Sequence, residues 1–419
     1  MPRAIALVAV IAALLAPAAA SAATRFATPG GGTVPGCPQP TPCSLEYAIT
    51  AAAPGDEVVV GPGEYTLAAT IETETPLWIH GQPGPAKPRI VAAGQSVFKS
   101  FVPQRLSDLE LESTDTGDGV LFVPAGGTVV ERLKLFSRGT EALGFRAGTT
   151  FTMTDTLIVA EAPANAVGVF IQGASPGAAQ LRNDTIVAKG GEAIAFGVFM
   201  VAKDSSLSVA ATNTIASGDQ FDASARKSSE ATGSTLSVSF DHSNLDTTDG
   251  EVTSTNGQTA PPLFAAGGFE PAPGSPTINF GINNAANGPT DLNGNPRTLP
   301  ALLTCAKPAF AITDIGAYEF VPPAVTCVPQ TKIVKLKKRG RKAKLRFTAT
   351  GTQEAVTFKC RLDKRRWRRC ASPKVYKRLK PGRHVFKVRA FTSAAEDPSP
   401  AKRKFRIKPP AKSKAGARR

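Results

Sequence analysis

The chain has 419 residues, 42% of them hydrophobic and 20% charged, with six cysteines and a formal net charge of +16. That composition excludes a disordered or fibrous chain and leaves room for two or three packed domains. The charge is unevenly placed: residues 329–419 hold 32 Lys/Arg against 4 Asp/Glu, a net of +28, leaving 17 against 29, a net of −12, for residues 1–328.

Residues 1–22 read as an export signal. Arg3 supplies the positive start, Ala4 to Leu15 the apolar run, and Ala20, Ser21 and Ala22 a small-residue cleavage site before Ala23. A mature chain beginning at Ala23 is expected to be extracellular or at the cell surface. No Cys follows the cleavage site for lipid attachment, and no later stretch approaches the roughly 18 apolar residues that span a bilayer. No transmembrane span is therefore expected in the mature chain.

In an exported chain, cysteines favour disulfides over metal or redox chemistry. They fall as sequence neighbours: Cys37 with Cys43, Cys305 with Cys327, and Cys360 with Cys370. Other connectivities stay open, but local pairing needs no long-range coincidence. A zinc site is the rival; it lacks any Cys-x-x-Cys, and His80, His242 and His384 are scattered. No metal and no cofactor is expected.

Leu45 to Ala53 suggests a short capping helix stopped by Pro54 and Gly55, followed by strands at Asp56 to Val60, Tyr65 to Leu67 and Leu77 to Ile79. From residue 106 to 246 a short pattern recurs in which an apolar residue precedes a polar one at the start of a β-rich step. Placing Asp108, Arg132, Asp155, Asp184, Asn213 and Ser243 in one column gives spacings of 24, 23, 29, 29 and 30 residues. Imperfect periods of this size mark solenoids. The repeats carry runs such as Val167 to Ile171 and Ala193 to Val201, rich in Val, Ile and Phe, and none shows a sustained helical stripe. The fold expected for residues 23–321 is a right-handed parallel β-helix with an N-terminal cap. Residues 247–300 read as irregular coils held by Phe264, Phe269, Ile278 and Phe280.

Beyond Pro322 and Pro323, the alternation of Phe386, Val388 and Ala390 with Lys387 and Arg389 has the period of a half-buried strand. With Leu345 to Ala349, Val356 to Leu362 and Lys404 to Ile407 it predicts a small β-sandwich over residues 329–408, followed by a basic, disordered tail at 409–419. The chain is read as a monomer.

Three stretches resemble known families. Pro42 to Ile49, then Pro54 to Val60 and Gly63 to Tyr65, resemble the start of exported β-helix proteins of the choice-of-anchor Q group. Asp291 to Arg297 and Asp314 to Glu319 resemble the end of the same domain. Phe358 to Asp363, Cys370 to Pro373 and Pro381 to Ala390 resemble immunoglobulin-like modules on actinobacterial surface proteins, with Lys364 to Arg369 where such modules often carry a neutral hairpin. The resemblance implies a fold and a surface setting and implies no reaction.

Parallel β-helices include polysaccharide lyases and glycosidases. If Asp155 and Asp184 stack as column neighbours, their carboxyls fall near the roughly 5 Å separation of retaining glycosidases. The competing reading is structural, because Asn and Asp beside turns bond the local backbone, and Asn213 and Ser243 continue the column without catalytic value. No paired Asp-Asp, Gly-His-Gly, Arg-Ile-Lys or Gly-x-Ser-x-Gly motif occurs. Asp291, Asn293 and Asn295 alternate like the first ligands of a calcium loop, yet Pro296 stands where such a loop needs Gly; a turn is the alternative. His80 reads as structural.

Arg365, Arg366, Arg368 and Arg369 surround Trp367, pairing cations for anionic groups with an aromatic face for stacking. The alternative has Trp367 packed on the sandwich near Cys360 and Cys370. A surplus of +28 exceeds a solubility need. The partners expected are an anionic cell-wall polymer or an extracellular polysaccharide, with extracellular DNA retained because charge does not distinguish phosphates by source. The sequence therefore points to a secreted, non-catalytic surface protein, with a polysaccharide lyase or glycoside hydrolase acting in the β-helix groove as the alternative.

Overall fold

The computed structural model describes residues 22–82, 86–114, 119–123, 126–146, 150–173, 176–299, 312–322, 327–352 and 355–409. Residues 1–21, on which most of the expected export signal falls, Cys305 and residues 410–419 lie outside them. Two compact units divide the chain: one comprises residues up to Arg297 together with Asp314–Glu319, the other the remainder from Thr298 onward.

The first unit is a parallel β-solenoid. Each coil contributes one strand to each of three parallel sheets, of ten, seven and eight strands. In one coil, Gly177–Arg182 lies in the first sheet, Thr185–Lys189 in the second and Ile194–Met200 in the third. Unbroken columns keep the coils in register. In the second sheet Ile90, Leu111, Leu135, Ile158, Ile186 and Ala216 stack in successive coils and are all buried. A one-residue slip would turn the whole set to solvent, so the apolar column specifies the pairing.

Core volume is conserved between coils rather than within each. The coil after Ile194–Met200 places alanines inward at 211, 216, 223 and 225. Phe196 and Phe240, from the coils on either side, meet edge to face there, with centroids 5.8 Å apart. Large and small residues thus alternate along the axis and fill the interior.

The N-terminal end is closed as the sequence indicates, with shorter bounds. The helix is Leu45–Thr50, capped by the Ser44 side chain accepting from the Tyr47 N–H, and its Leu45, Ala48 and Ile49 are buried. A strand that sequence reasoning missed, Thr24–Gly32, pairs with Glu57–Val60 and covers the first coil. Asp56 accepts from the Ala23 and Ala53 backbone and pairs with Arg25, tying this strand down. Cys37 and Cys43 form a disulfide in the connection.

The second unit is a small β-sandwich. A three-stranded sheet comprises Gln330–Arg339, Lys342–Thr350 and Lys374–Tyr376, and a four-stranded sheet Thr357–Leu362, Arg368–Cys370, Gly382–Phe391 and Ala401–Ile407. Leu345 and Phe347 from one sheet meet Leu362, Phe386 and Val388 from the other in a shared core. Cys360–Cys370 joins neighbouring strands, and Cys327 is also disulfide-bonded.

Replacing Phe196 by Ala should remove one half of the ring pair and leave a cavity the neighbouring alanines cannot fill. A loss of about 3–5 kcal/mol is expected in chemical denaturation followed by far-UV circular dichroism.

Candidate functional site

The turn from the first sheet to the second repeats one backbone requirement. Asp108, Arg132, Asp155, Asn183, Asn213, His242 and Asn256 follow paired strand ends in successive coils, and all have φ between 47° and 57°. Asn and Asp tolerate this left-handed conformation better than most residues. The column drawn from the sequence is therefore corrected at two points, because Asn183 and His242 occupy it where Asp184 and Ser243 were placed. Asp184 and Ser243 belong to the next column inward, beside Thr156 and Thr214.

That inner column bonds the coils together. Thr156 accepts from the Leu133 N–H, Asp184 from the Thr156 N–H at 2.9 Å, and Ser243 from the Thr214 N–H. The second oxygen of Asp184 accepts from the Arg182 N–H, also at 2.9 Å. Asp184 has no exposed surface, and burial pushes its carboxyl far above the ordinary carboxylate range. In accepting an N–H from the coil before, it does what Thr156 does one coil earlier.

Asp155 faces outward from the solenoid but not to solvent. Residues 256–297 and 314–319 return along the turn column as a strap. Ile282 and Asn287 bond Asn213 and Asn183, while Arg297 reaches Asp155 across 142 residues. The guanidinium of Arg297, 2% exposed, also donates to Glu319 at 3.2 Å and to the Gly316 and Ala317 carbonyls at 2.9 and 3.1 Å. Burial raises the Asp155 carboxyl, against the pull of Arg297 and Asn183. Asp155 and Asp184 thus occupy different columns, one beneath the strap and one within the turn. Neither carboxylate meets solvent as the other's catalytic partner.

Asp291 resolves the calcium-loop alternative in favour of a turn. One of its oxygens accepts from the Asn293 and Asn295 N–H groups, the other from the Asn295 side chain and the Glu319 N–H. With both oxygens taken by N–H donors and the residue fully buried, Asp291 has no direction left toward a cation. Leu292, Ala317 and Tyr318 pack on Leu157 and Val159 of the second sheet, so the stretches Asp291–Arg297 and Asp314–Glu319 form a closure. His80 stacks on Trp78 and pairs with Glu57, a structural placement.

The third sheet has an outward groove of about 410 Å³ that sequence reasoning missed, walled by Phe170, Phe199 and Phe221 with Gly197 between them. The rings of Phe122 and Phe170 lie over Gly144 and Gly197 of the following coils, where a Cβ would meet them at 3.3 and 3.6 Å. The signal was available, since these phenylalanines stand at outward positions of their strands.

The sandwich carries the densest charge. On the outer face of its three-stranded sheet, Lys335 stands opposite Arg346, Lys337 opposite Lys344 and Arg339 opposite Lys342, and all six are exposed. The outer face of the four-stranded sheet repeats the arrangement: Arg369, Lys359 and Arg389 form one cross-strand row, and Arg361, Lys387 and Lys402 another. Like charges directly opposed across strands are destabilising. Trp367 is half-buried, with Arg361 and Arg389 stacked 5.3 and 4.8 Å from its ring centroid. Its ring therefore spaces two cations of its own domain. Arg365, Arg366, Arg368 and Arg369 remain exposed and, with Lys374 and Tyr376, line a groove of about 470 Å³ beside the Cys360–Cys370 disulfide.

No family model matches this sequence and no curated protein does. Among solved structures, pectate lyase Pel9A aligns at 12% identity with a TM-score of 0.39, covering 71% of this chain and 96% of its own. The Escherichia coli protein YbhC aligns at 12% with a TM-score of 0.35, covering 58% and 75% respectively. The likeness concerns the solenoid fold alone, and no residue role passes from either structure to this chain.

Two variants test the turn column. A carboxyl whose folded pKa is raised contributes stability below its unfolded value near 3.8 and loses it as pH rises. Asp184→Thr, which keeps the oxygen that the Thr156 N–H requires but gives up the second acceptor used by the Arg182 N–H, should melt no higher than the unaltered protein near pH 4 and gain on it by a few degrees towards pH 7–8 in a calorimetric pH series. Arg297→Met should act oppositely, stranding Asp155 and Glu319 beneath the strap at a cost of about 3–5 kcal/mol in urea unfolding at pH 7.

Proposed function

We propose that this protein is an exported, non-catalytic surface protein whose solenoid is a rigid spacer and whose sandwich holds it to an anionic extracellular polymer. The observation that carries the reading is the ladder of opposed cations, Lys335/Arg346, Lys337/Lys344 and Arg339/Lys342, on one exposed sheet face. A solubilising surface mixes both signs. Rows of one sign raise the energy of the free domain, and a polyanion lying across them relieves that repulsion. Phosphate, sulfate and uronate chains share that chemistry, and an immunoglobulin-like module is a compact carrier for it.

The absence of a reaction is supported by the placement of the candidate pair, because Asp155 is held beneath the strap by Arg297 and Asp184 is taken up by backbone N–H groups inside the turn. The groove beside Phe170, Phe199 and Phe221 favours a second binding role for the solenoid, with apolar rings facing the flat side of a sugar unit.

The full-length protein should bind polygalacturonate and DNA with log Kd rising linearly in log salt concentration. Changing Lys335, Lys337, Lys344 and Arg346 to Ser should weaken binding more than tenfold and reduce that slope by about 3, with circular dichroism unchanged. Salt-independent binding, or cleavage of acidic or neutral glycans in the same incubations, would favour the enzymatic alternative.

A further inference from the structure

The two cationic faces of the sandwich lie on opposite sides of one core. Lys342, Lys344 and Arg346 alternate with buried Ala343, Leu345 and Phe347, so the charged residues face away from the four-stranded sheet. Lys359 and Arg361 alternate with buried Cys360 and Leu362, and Lys387 and Arg389 with Phe386 and Val388, so these residues face away from the three-stranded sheet. Neither face is neutralised by its own domain. Among the described residues, the acids of this unit are Glu396, paired with Arg389, Asp363, paired with His384, and Asp397, fully buried and accepting from the Thr331 N–H; no ion pair among them involves Lys335, Lys337, Lys344 or Arg346.

We propose that the sandwich is bivalent and binds two polyanion chains at once, one on each face, so that it cross-links the polymer as well as attaching to it. This rests on the polyanion reading above and deepens it. Packed sheets lie about 10 Å apart, and side chains on both outer faces extend the separation of bound chains to roughly 20 Å. The Debye length at physiological ionic strength is about 8 Å, so a chain on one face scarcely repels a chain on the other. Within a face, successive cation pairs recur every two residues, about 6.8 Å along the strand, which suits an extended polymer carrying one charge per unit.

The ligand chemistry common to the candidates is an extended chain of regularly spaced anionic groups. Sodium polyphosphate and polygalacturonate of defined length serve as separate arms to distinguish phosphate from carboxylate. Each is titrated into full-length protein while particle mass is followed by light scattering. Mass should rise many-fold near charge equivalence and fall again in excess polymer, as each protein then bridges no second chain.

Four proteins carrying the same basic tail are compared. The first is unaltered; the second has Lys335, Lys337, Lys344 and Arg346 changed to Ser; the third has Lys359, Arg361, Lys387 and Lys402 changed to Ser. The fourth loses the same charge split between faces, through Lys335→Ser, Lys344→Ser, Lys359→Ser and Lys387→Ser. The second and third should bind polymer yet give only small, soluble complexes, while the fourth still cross-links. Bivalence is overturned if the unaltered protein binds but never exceeds one chain per molecule, or if all three variants cross-link alike. Absence of binding by the unaltered protein would instead remove the polyanion reading itself.

Discussion

From Asp108 onward the chain turns from the first sheet to the second through one residue in the left-handed region, and that requirement organises the rest of the unit. It selects Asn, Asp and a few strained others for the outer column. The residue immediately following then points inward, and at Thr156, Asp184 and Ser243 its oxygen accepts an N–H of the coil before. The same turns leave a row of polar side chains on the outside, and the strap from residues 256 to 297 exists to satisfy it. Asn287, Asn213 and Asn183 bond one another and the strap backbone, and Arg297 completes the row at Asp155. One backbone constraint thus links repeat spacing, coil register and the buried ion cluster.

This arrangement explains why conspicuous acidic residues in a β-helix need not signal chemistry. A carboxylate in a polar, solvated groove is available to a substrate, whereas Asp155, Asp184 and Asp291 are each surrounded by donors from their own chain. Their burial raises the cost of losing a partner, and both oxygens of Asp184 and of Asp291 are taken by N–H donors. The sandwich presents the reverse case. Its cations stand on open sheet faces and, among the described residues, only Arg389 of the cross-strand rows has an acidic partner, Glu396.

Much of this organisation was legible in the sequence, and the failures have definite causes. The solenoid followed from strand character and spacing, and two cysteine pairs from their closeness, Cys37 with Cys43 and Cys360 with Cys370. The column failed at Asn183–Asp184 and His242–Ser243 because adjacent polar residues both suit a turn by type, and only the backbone dihedral separates them. Arg297 could not be placed, since its partner Asp155 lies 142 residues away. The charge of Lys364 to Arg369 was plain. The opposition of Lys335 to Arg346 was not, because it depends on an irregular register near Ile333.

The opposed cations have a further consequence for how the sandwich responds to its surroundings. Free of polymer, the ladders repel across the strand pairs that carry them, so added salt should tighten the domain by shielding them. Once a polyanion lies along the ladders the sign reverses, because the same ions compete for the contacts that hold the chain in place. Ionic strength would therefore push cohesion and adhesion in opposite directions, and the module would be least rigid when empty in dilute surroundings and most rigid when loaded there. The polymer would act as the missing counter-charge of the fold, giving the attached protein a firmness that the unattached one lacks.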